Sequence, residues 1–298
     1  MKSGFVPVVG RPNVGKSTLV NQLVGSKVAI TSSRPQTTRN VIRGVVTGPD
    51  PDAPTHQVVL VDTPGLHKPK TDLGGRLNSL VYGTLREADV VMFVLDATMP
   101  IGPGDRLIAE RLREAEAGVV VAVNKVDAAN RSETIEQLAM AGEWDFESYV
   151  PISAIEGDGL GDLLDEVVSR LPEGPLYFPS GMTTDQPESL VIGELVREKF
   201  LERLRDELPH SLLVRVEDLE QREDGLIDIA ANVIVERKSQ KGIVIGKGGS
   251  LLKLAGTEAR GDLERLLGNR VNLSLHVTVE RDWQRSPQLL DRFGFTPV

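Results

Sequence analysis

The run Gly10-Arg-Pro-Asn-Val-Gly-Lys-Ser17 sets two glycines, a lysine and a hydroxyl at the spacing that cradles a chain of phosphates. Glycines let backbone N–H groups face the phosphates, and a helix starting at the lysine adds its dipole. Lys16 would reach the β- and γ-phosphates as a catalytic cation, and the Ser17 hydroxyl would bind magnesium. Gly10, Arg11, Pro12, Asn13, Val14, Gly15, Lys16, Ser17 and Thr18 are therefore candidate nucleotide contacts.

Two further motifs narrow the ligand. In Asn124-Lys125-Val126-Asp127 the Asp carboxylate can accept two adjacent hydrogen bonds, which guanine offers from N1–H and its 2-amino group and adenine does not. Ser153-Ala154 follows the next apolar strand and completes the base side, so GTP is favoured over ATP. Asp62-Thr63-Pro64-Gly65 places a carboxylate where it can hold magnesium through water, and a backbone N–H where it can sense the γ-phosphate. The polar loop 32–40 holds Thr37 and Thr38; Thr38 is favoured to complete the magnesium shell, with Thr37 the alternative. Leu66 stands where many GTPases have a water-orienting Gln, and an alkyl chain cannot orient water by hydrogen bonding.

A second kind of chemistry is written near the other end. Gly246-Lys247-Gly248-Gly249 breaks a helical pattern, as a loop that presses its backbone against the sugar–phosphate chain does in a KH domain. Ile243, Val244 and Leu251 are expected to floor a groove for bases, and Ile245 to flank the loop. From Arg237 to Thr257 there are five cations (Arg237, Lys238, Lys241, Lys247 and Lys253) and no acid. A net charge of −9 argues against a nucleic-acid partner, but charges beyond a Debye length of about 8–10 Å are screened, so the local basic window still counts.

Positioning these residues takes two architectures. Over residues 5–171, short apolar runs (5–9, 41–47, 57–61, 90–95, 118–123, 149–152) alternate with helical patterns (16–24, 73–87, 105–115, 160–171). That is a mostly parallel α/β sheet with helices on both faces. Residues 172–187 are rich in Pro and Gly and read as a linker. Beyond it come a charged helix at 190–207, strands at 211–217 and 226–236, a glycine-broken helical pair at 241–267 and a strand at 271–279: a small α+β domain. The alternating charges of 190–207 read as a solvated face. The expected domains are 1–172 and 188–298. Zero cysteines exclude disulfides and thiolate zinc and fit the cytosol; the start runs straight into a strand, which argues against a signal peptide. No apolar run approaches the roughly 20 residues of a membrane span, and nothing demands more than a monomer.

The strings at 10–17, 35–39 (Pro-Gln-Thr-Thr-Arg) and 62–67 (Asp-Thr-Pro-Gly-Leu-His), with the helix and strand order of the second half, resemble the Era family of bacterial ribosome-assembly GTPases over essentially the whole chain. The resemblance implies a P-loop GTPase domain followed by a type II KH domain. It also implies a GTP-hydrolysing switch that binds single-stranded RNA near the 3′ end of small-subunit ribosomal RNA and assists 30S assembly. The loops 32–40 and 67–75 would be its switches. Relatives with Asn at the position of Asn13 bind potassium there, which makes Asn13 a candidate catalytic residue; a polar loop residue without a cation is the alternative. The family also implies peripheral contact with the inner face of the membrane, for which no anchor is visible in the residues. Trp283 is expected to pack the C-terminal tail, and the four histidines show no metal spacing. Two other functions stay open: a non-catalytic GTP-binding RNA chaperone, and a GTPase whose second domain binds protein.

Overall fold

A computed structural model describes residues 1–296 apart from 33, 35–36, 67–68, 70 and 206–207, with only the backbone of residue 210. Parts of both expected switch loops, and the end of the expected charged helix, thus lie outside the described residues. The chain forms two compact units: Met1–Ala29 with Thr38–Asp185 and the chain end from Phe295, and Ile30–Thr37 with Gln186–Gly294.

The first unit is a six-stranded sheet. Its strands are β1 (Lys2–Val9), β2 (Ile42–Gly48), β3 (His56–Asp62), β4 (Val90–Asp96), β5 (Gly118–Asn124) and β6 (Ser148–Pro151), in the order β2-β3-β1-β4-β5-β6. All neighbours run parallel except β2 with β3. The apolar runs are two-sided. Val90, Met92 and Val94 of β4 join one buried cluster, and Val91, Phe93 and Leu95 join another. Helices α1 (Lys16–Val24) and α5 (Leu160–Arg170) cover the first face; α2 (Asp72–Arg86), α3 (Pro103–Arg113) and α4 (Arg131–Gly142) cover the second. The sequence pattern misses α4 because its apolar stripe is thin, with only Gln137 and Ala141 buried. Its start is nonetheless capped: Asn130 Oδ1 accepts from the Glu133 N–H at 2.9 Å, and Glu133 returns the bond to the Asn130 N–H at 2.9 Å.

The Pro- and Gly-rich stretch expected as a linker lies on the first unit as far as residue 185. The buried Gln57 carboxamide accepts from the N–H groups of Tyr177 and Phe178 at 2.8 and 3.0 Å and donates to the Phe178 carbonyl at 2.8 Å. The Val45 N–H reaches the Thr183 carbonyl at 2.9 Å, and Arg43 pairs with Asp185 at 2.6 Å. Side-chain amides satisfying irregular backbone explain why Pro-rich composition here does not mean freedom.

The second unit packs α6 (Glu188–Leu201), α8 (Lys238–Ile245) and α9 (Ser250–Leu267) against a three-stranded sheet, β7 (Leu213–Gln221), β8 (Ile227–Val235) and β9 (Val271–Val279), in the order β7-β8-β9. β7 and β8 are antiparallel, β8 and β9 parallel. The helix expected to reach 207 stops at Leu201, and a separate turn, α7 (Leu208–Ser211), precedes β7. Pro209 would clash with the carbonyl four residues back in a continuous helix. After β9, Trp283 is fully buried, donates from Nε1 to the Ser211 carbonyl at 3.0 Å and meets Phe293 edge-on; α10 (Pro287–Arg292) follows. Phe200 is equally buried, in the core, and cannot stack on a base.

Candidate functional site

β1 ends at Val9, and α1 begins at Lys16 after a loop whose backbone turns through Gly10 (φ 154°), Asn13 (φ 65°) and Gly15 (φ 100°). A Cβ on Gly15 would lie 2.3 Å from the Asn124 Nδ2, so the loop closes onto the base-recognition motif only because residue 15 has no side chain. Asn124 is the tie: its amide donates to the Val14 carbonyl at 2.8 Å and accepts from the Ala154 N–H at 2.9 Å. Lys125 Nζ donates to the Asn13 carbonyl at 2.8 Å and pairs with Asp96 at 2.5 Å. Asp96 was not legible as a site residue; it ends β4 beside Asn124 of β5, a register partner. Asp127 is exposed and accepts from the Ser153 hydroxyl at 2.6 Å, which orients its carboxylate. Val126, the residue before it, donates its N–H to the Ile152 carbonyl at 3.2 Å.

On the phosphate side Lys16 is buried, its ammonium donating to the carbonyls of Gly10 (3.1 Å) and Arg11 (2.9 Å). Burial pushes its pKa down to about 8, against the pull of the Asp62 charge. Asp62 is pushed above the usual carboxylate range by burial, opposed by hydrogen bonds from Ser17 and Thr38 and by the Lys16 charge. The Ser17 hydroxyl donates to Asp62 Oδ2 at 2.6 Å; Thr38 Oγ1 lies 2.9 Å from Ser17 Oγ and 3.2 Å from Asp62 Oδ2. Three hard oxygens thus converge. Neighbouring ligands of an octahedral magnesium, each at about 2.1 Å, sit about 3 Å apart, so the Ser17–Thr38 spacing fits the ion. Asp62 Oδ1 is buried with no hydrogen-bond partner among the described residues. Thr37, the alternative, turns its hydroxyl to the Arg34 carbonyl at 2.6 Å.

Other candidates are placed differently. Arg11 is drawn aside, its Nε on the buried Asp105 at 2.8 Å, so only its backbone serves the loop. Thr63 bonds the Val8 carbonyl at 2.8 Å and fixes the Asp62–Gly65 turn to β1. Pro64 is buried beside it, and Leu66 packs against the apolar cluster behind the sheet. Thr18 continues the first turn of α1, and the Asn13 side chain is exposed at the crest of the loop. Among the described residues no cluster of three or more His, Cys, Asp or Glu could hold a metal.

In the second unit, α8 ends at Gly246 and α9 starts at Ser250, with Lys247–Gly249 a single tight turn between them. Gly248 (φ 60°) has no atom within 4 Å of where a Cβ would stand, so the turn presents open backbone. From it runs a groove of about 330 Å³ along α9 and β9, lined by Leu252, Lys253, Gly256, Arg260, Leu273 and Leu275 among others. Its floor is not the one expected: Val244 is buried in the core, Ile243 is exposed, and Leu251 packs against the core from α9. Positions 249, 252, 253, 256 and 260 share one helical face, a spacing that could have marked it. Of the basic window, Lys253 lines the groove and Lys247 stands at the turn; Arg237 caps α8, and Lys238 and Lys241 lie in its first turn. Ile245, half-buried, packs against the core.

The charged helix is the main correction. Arg197 is fully buried and Glu194 and Glu198 nearly so, so this stretch of α6 is no solvated face. Arg197 is held by Glu194 through two bonds of 3.0 and 2.7 Å. Alternating charge does not distinguish a solvated face from buried pairs.

These features define the class: a P-loop guanine-nucleotide-binding domain joined to a KH domain. Residues 5–125 match the family described as 50S ribosome-binding GTPase, and residues 207–284 the KH domain. The chain is 51% identical over 300 residues to GTPase Era of Mycobacterium tuberculosis, covering 98% of each, and 49% identical to that of Mycobacterium avium, covering 99% of each. The chain belongs to the Era family of GTPases. Among solved structures it matches, with a TM-score of 0.94 and 37% identity over 99% of this chain, an Aquifex aeolicus Era variant bound to GDP and tetrafluoroaluminate, covering 100% of that chain. It matches equally, at 0.94 and 37% over 99% of both, Era in complex with MgGDPNP and nucleotides 1506–1542 of 16S ribosomal RNA.

Proposed function

We propose that this protein is a GTP-driven switch that engages the 3′ region of small-subunit ribosomal RNA through the groove between α9 and β9 and assists 30S assembly. The observation that carries this reading is its likeness, end to end, to a relative solved with both a GTP analogue and 16S ribosomal RNA. The local chemistry agrees: open glycine backbone and Lys247 would meet phosphates, Lys253 and Arg260 add charge along the groove, and Leu252, Leu273 and Leu275 offer apolar surface to bases.

For hydrolysis, Asn124, Asp127, Ser153 and Ala154 hold guanine while the 10–17 loop holds the phosphates. Ser17 and Thr38 would bind magnesium directly, with Asp62 behind them. When bound, magnesium would neutralise charge on the β- and γ-phosphates. Lys16 adds a second cation, and the Gly65 N–H senses the γ-phosphate. Leu66, turned into an apolar cluster, leaves water orientation to other groups. We assign potassium to Asn13, whose exposed side chain stands at the loop crest; equal GTPase rates in potassium and sodium buffers would remove that assignment. The protein works in the cytoplasm, with peripheral contact at the inner membrane face. Among the described residues no helix is long and apolar enough to cross a membrane, so vesicle flotation is the check on that contact.

The decisive experiment is anisotropy binding of a labelled single-stranded RNA matching the 3′ end of small-subunit ribosomal RNA, with GDP and with a non-hydrolysable GTP analogue at fixed salt. Tighter binding with the analogue is expected. Equal binding in both states would deny the switch, and no binding in either would deny RNA recognition.

A further inference from the structure

The phosphate loop is held at each of its first three residues. Gly10 lies against β4, where a Cβ would come within 2.5 Å of the Val94 carbonyl oxygen. Pro12 packs against the Asp62–Gly65 turn, where a Cβ on Gly65 would stand 2.8 Å from the Pro12 nitrogen. Between them Arg11 reaches sideways to α3. Its Nε donates to Asp105 Oδ1 at 2.8 Å, and its stem crosses Gly104, whose Cβ would stand 3.0 Å from Arg11 Cδ. The carbonyl of the same residue accepts from the Lys16 ammonium at 2.9 Å. Arg11 therefore joins the start of α3 to the cation that faces the phosphates.

Asp105 does more than cap its helix. Capping takes one oxygen: Oδ2 accepts from the Gly102 N–H at 2.9 Å, and a neutral Gln at such a position caps in the same way. The second oxygen goes to Arg11, and the Asp105 side chain is only 1% exposed. A buried carboxylate is costly unless paired, so an acid here calls for a use beyond the cap. Burial pushes its pKa above the usual carboxylate range, opposed by the Gly102 N–H and the Arg11 charge. Arginine suits the other end because its donors are planar and fixed relative to one another. We propose that Arg11, anchored by Asp105, is a positioning residue for GTP binding and hydrolysis: it fixes the backbone carbonyl that aims Lys16 at the β- and γ-phosphates. The inference rests on the reading of the 10–17 loop as the phosphate cradle. It gives α3, from which no candidate nucleotide contact comes, a share in turnover.

The test measures GTP, GDP and GMP affinity by competition against a fluorescent GDP analogue, together with single-turnover GTPase rates. The proteins compared are the full-length wild type, Arg11→Ala, Arg11→Lys, Asp105→Asn and the double variant Arg11→Ala with Asp105→Asn. A misplacement of about 1 Å can cost about a hundredfold, so Arg11→Ala should lower GDP and GTP affinity and the hydrolysis rate by about tenfold to a hundredfold. GMP offers Lys16 no β-phosphate, and its affinity should stay within about twofold because the base contacts lie elsewhere. Residues in direct contact are not additive, so the double variant should lose no more than the worse single one. Arg11→Lys restores the charge and should recover part of the loss. Unchanged GDP and GTP affinity in folded Arg11→Ala, an equal loss for GMP, or full additivity with Asp105→Asn overturns the proposal. If Arg11→Ala does not fold, Arg11→Gln, which keeps much of the stem and an N–H donor but removes the charge, takes its place under the same criteria. Wild-type protein that binds GMP as tightly as GTP would instead sink the phosphate-cradle reading, a result distinct from any of these.

Discussion

Around Lys16 most of the candidate functional groups are out of water: Lys16, Thr38, Asp62, Asn124 and Ser153 are buried, while Asp127 and Asn13 are exposed. Along α9 and β9 the candidate groups are in water; Lys253, Thr257, Arg260 and Asn272 stand exposed on a groove open to solvent. Charges in the first region interact through protein and shift each other's pKa values, whereas those in the second are screened by salt. The difference predicts large, residue-specific effects at the nucleotide site and smaller, additive, salt-dependent effects at the groove. Four measurements would break or sharpen that contrast.

The largest effect is expected from Asp127→Ala. Two charge-assisted hydrogen bonds to guanine, worth about 1.5–3 kcal/mol each, vanish together, so GTP and GDP affinity should fall by about a hundredfold or more while weak ATP binding stays the same. Titration with a fluorescent GDP analogue reads this directly, and a loss of only a few-fold would mean Asp127 does not face the base. Gly248→Asp comes next. Asp tolerates the left-handed backbone there and fills open space with a negative charge, so RNA binding should weaken by about tenfold with nucleotide affinity intact. Undiminished RNA binding would move the phosphate contact away from the 246–249 turn.

Of similar size is a pH effect confined to the buried site. In the nucleotide-free protein burial holds Lys16 at about 8. Bound phosphates raise it, so binding favours the protonated form: affinity is complete below about pH 8 and is lost as pH rises above it. GTP affinity should fall by about tenfold from pH 7 to pH 9, with proton uptake on binding in that window. Calorimetry in buffers of different ionisation enthalpy checks the uptake, and a flat profile would return Lys16 to its ordinary range. The smallest effect is Lys253→Ala, which should lower the slope of log affinity against log salt by about 0.7, the contribution of a single phosphate contact to a single strand. A much larger loss, independent of salt, would make Lys253 a reader of bases and erase the contrast between the two regions.

The sequence by itself marked the candidate nucleotide site, because its chemistry depends on backbone turns made by consecutive residues. Gly10–Ser17, Asp62–Gly65 and Asn124–Asp127 each fall at the end of an apolar strand, and β1, β3 and β5 deliver them to one end of the sheet. Strand positions were legible for the same reason: residues buried on both faces leave continuous apolar runs. The 246–249 turn was legible too, since glycines mark open backbone. Tertiary structure alone decided the rest. Thr38 and not Thr37 meets Ser17 and Asp62, because the path of the loop, not its composition, aims each hydroxyl. The groove's floor comes from α9 and β9, whose contributing residues are neighbours only after the helix packs on the sheet edge. The charges of α6 went inside, because Arg197 and Glu198 find partners at Thr37 and Thr31, more than a hundred and fifty residues away in the chain. A local pattern records which groups a segment carries; long-range packing decides which of them leave water.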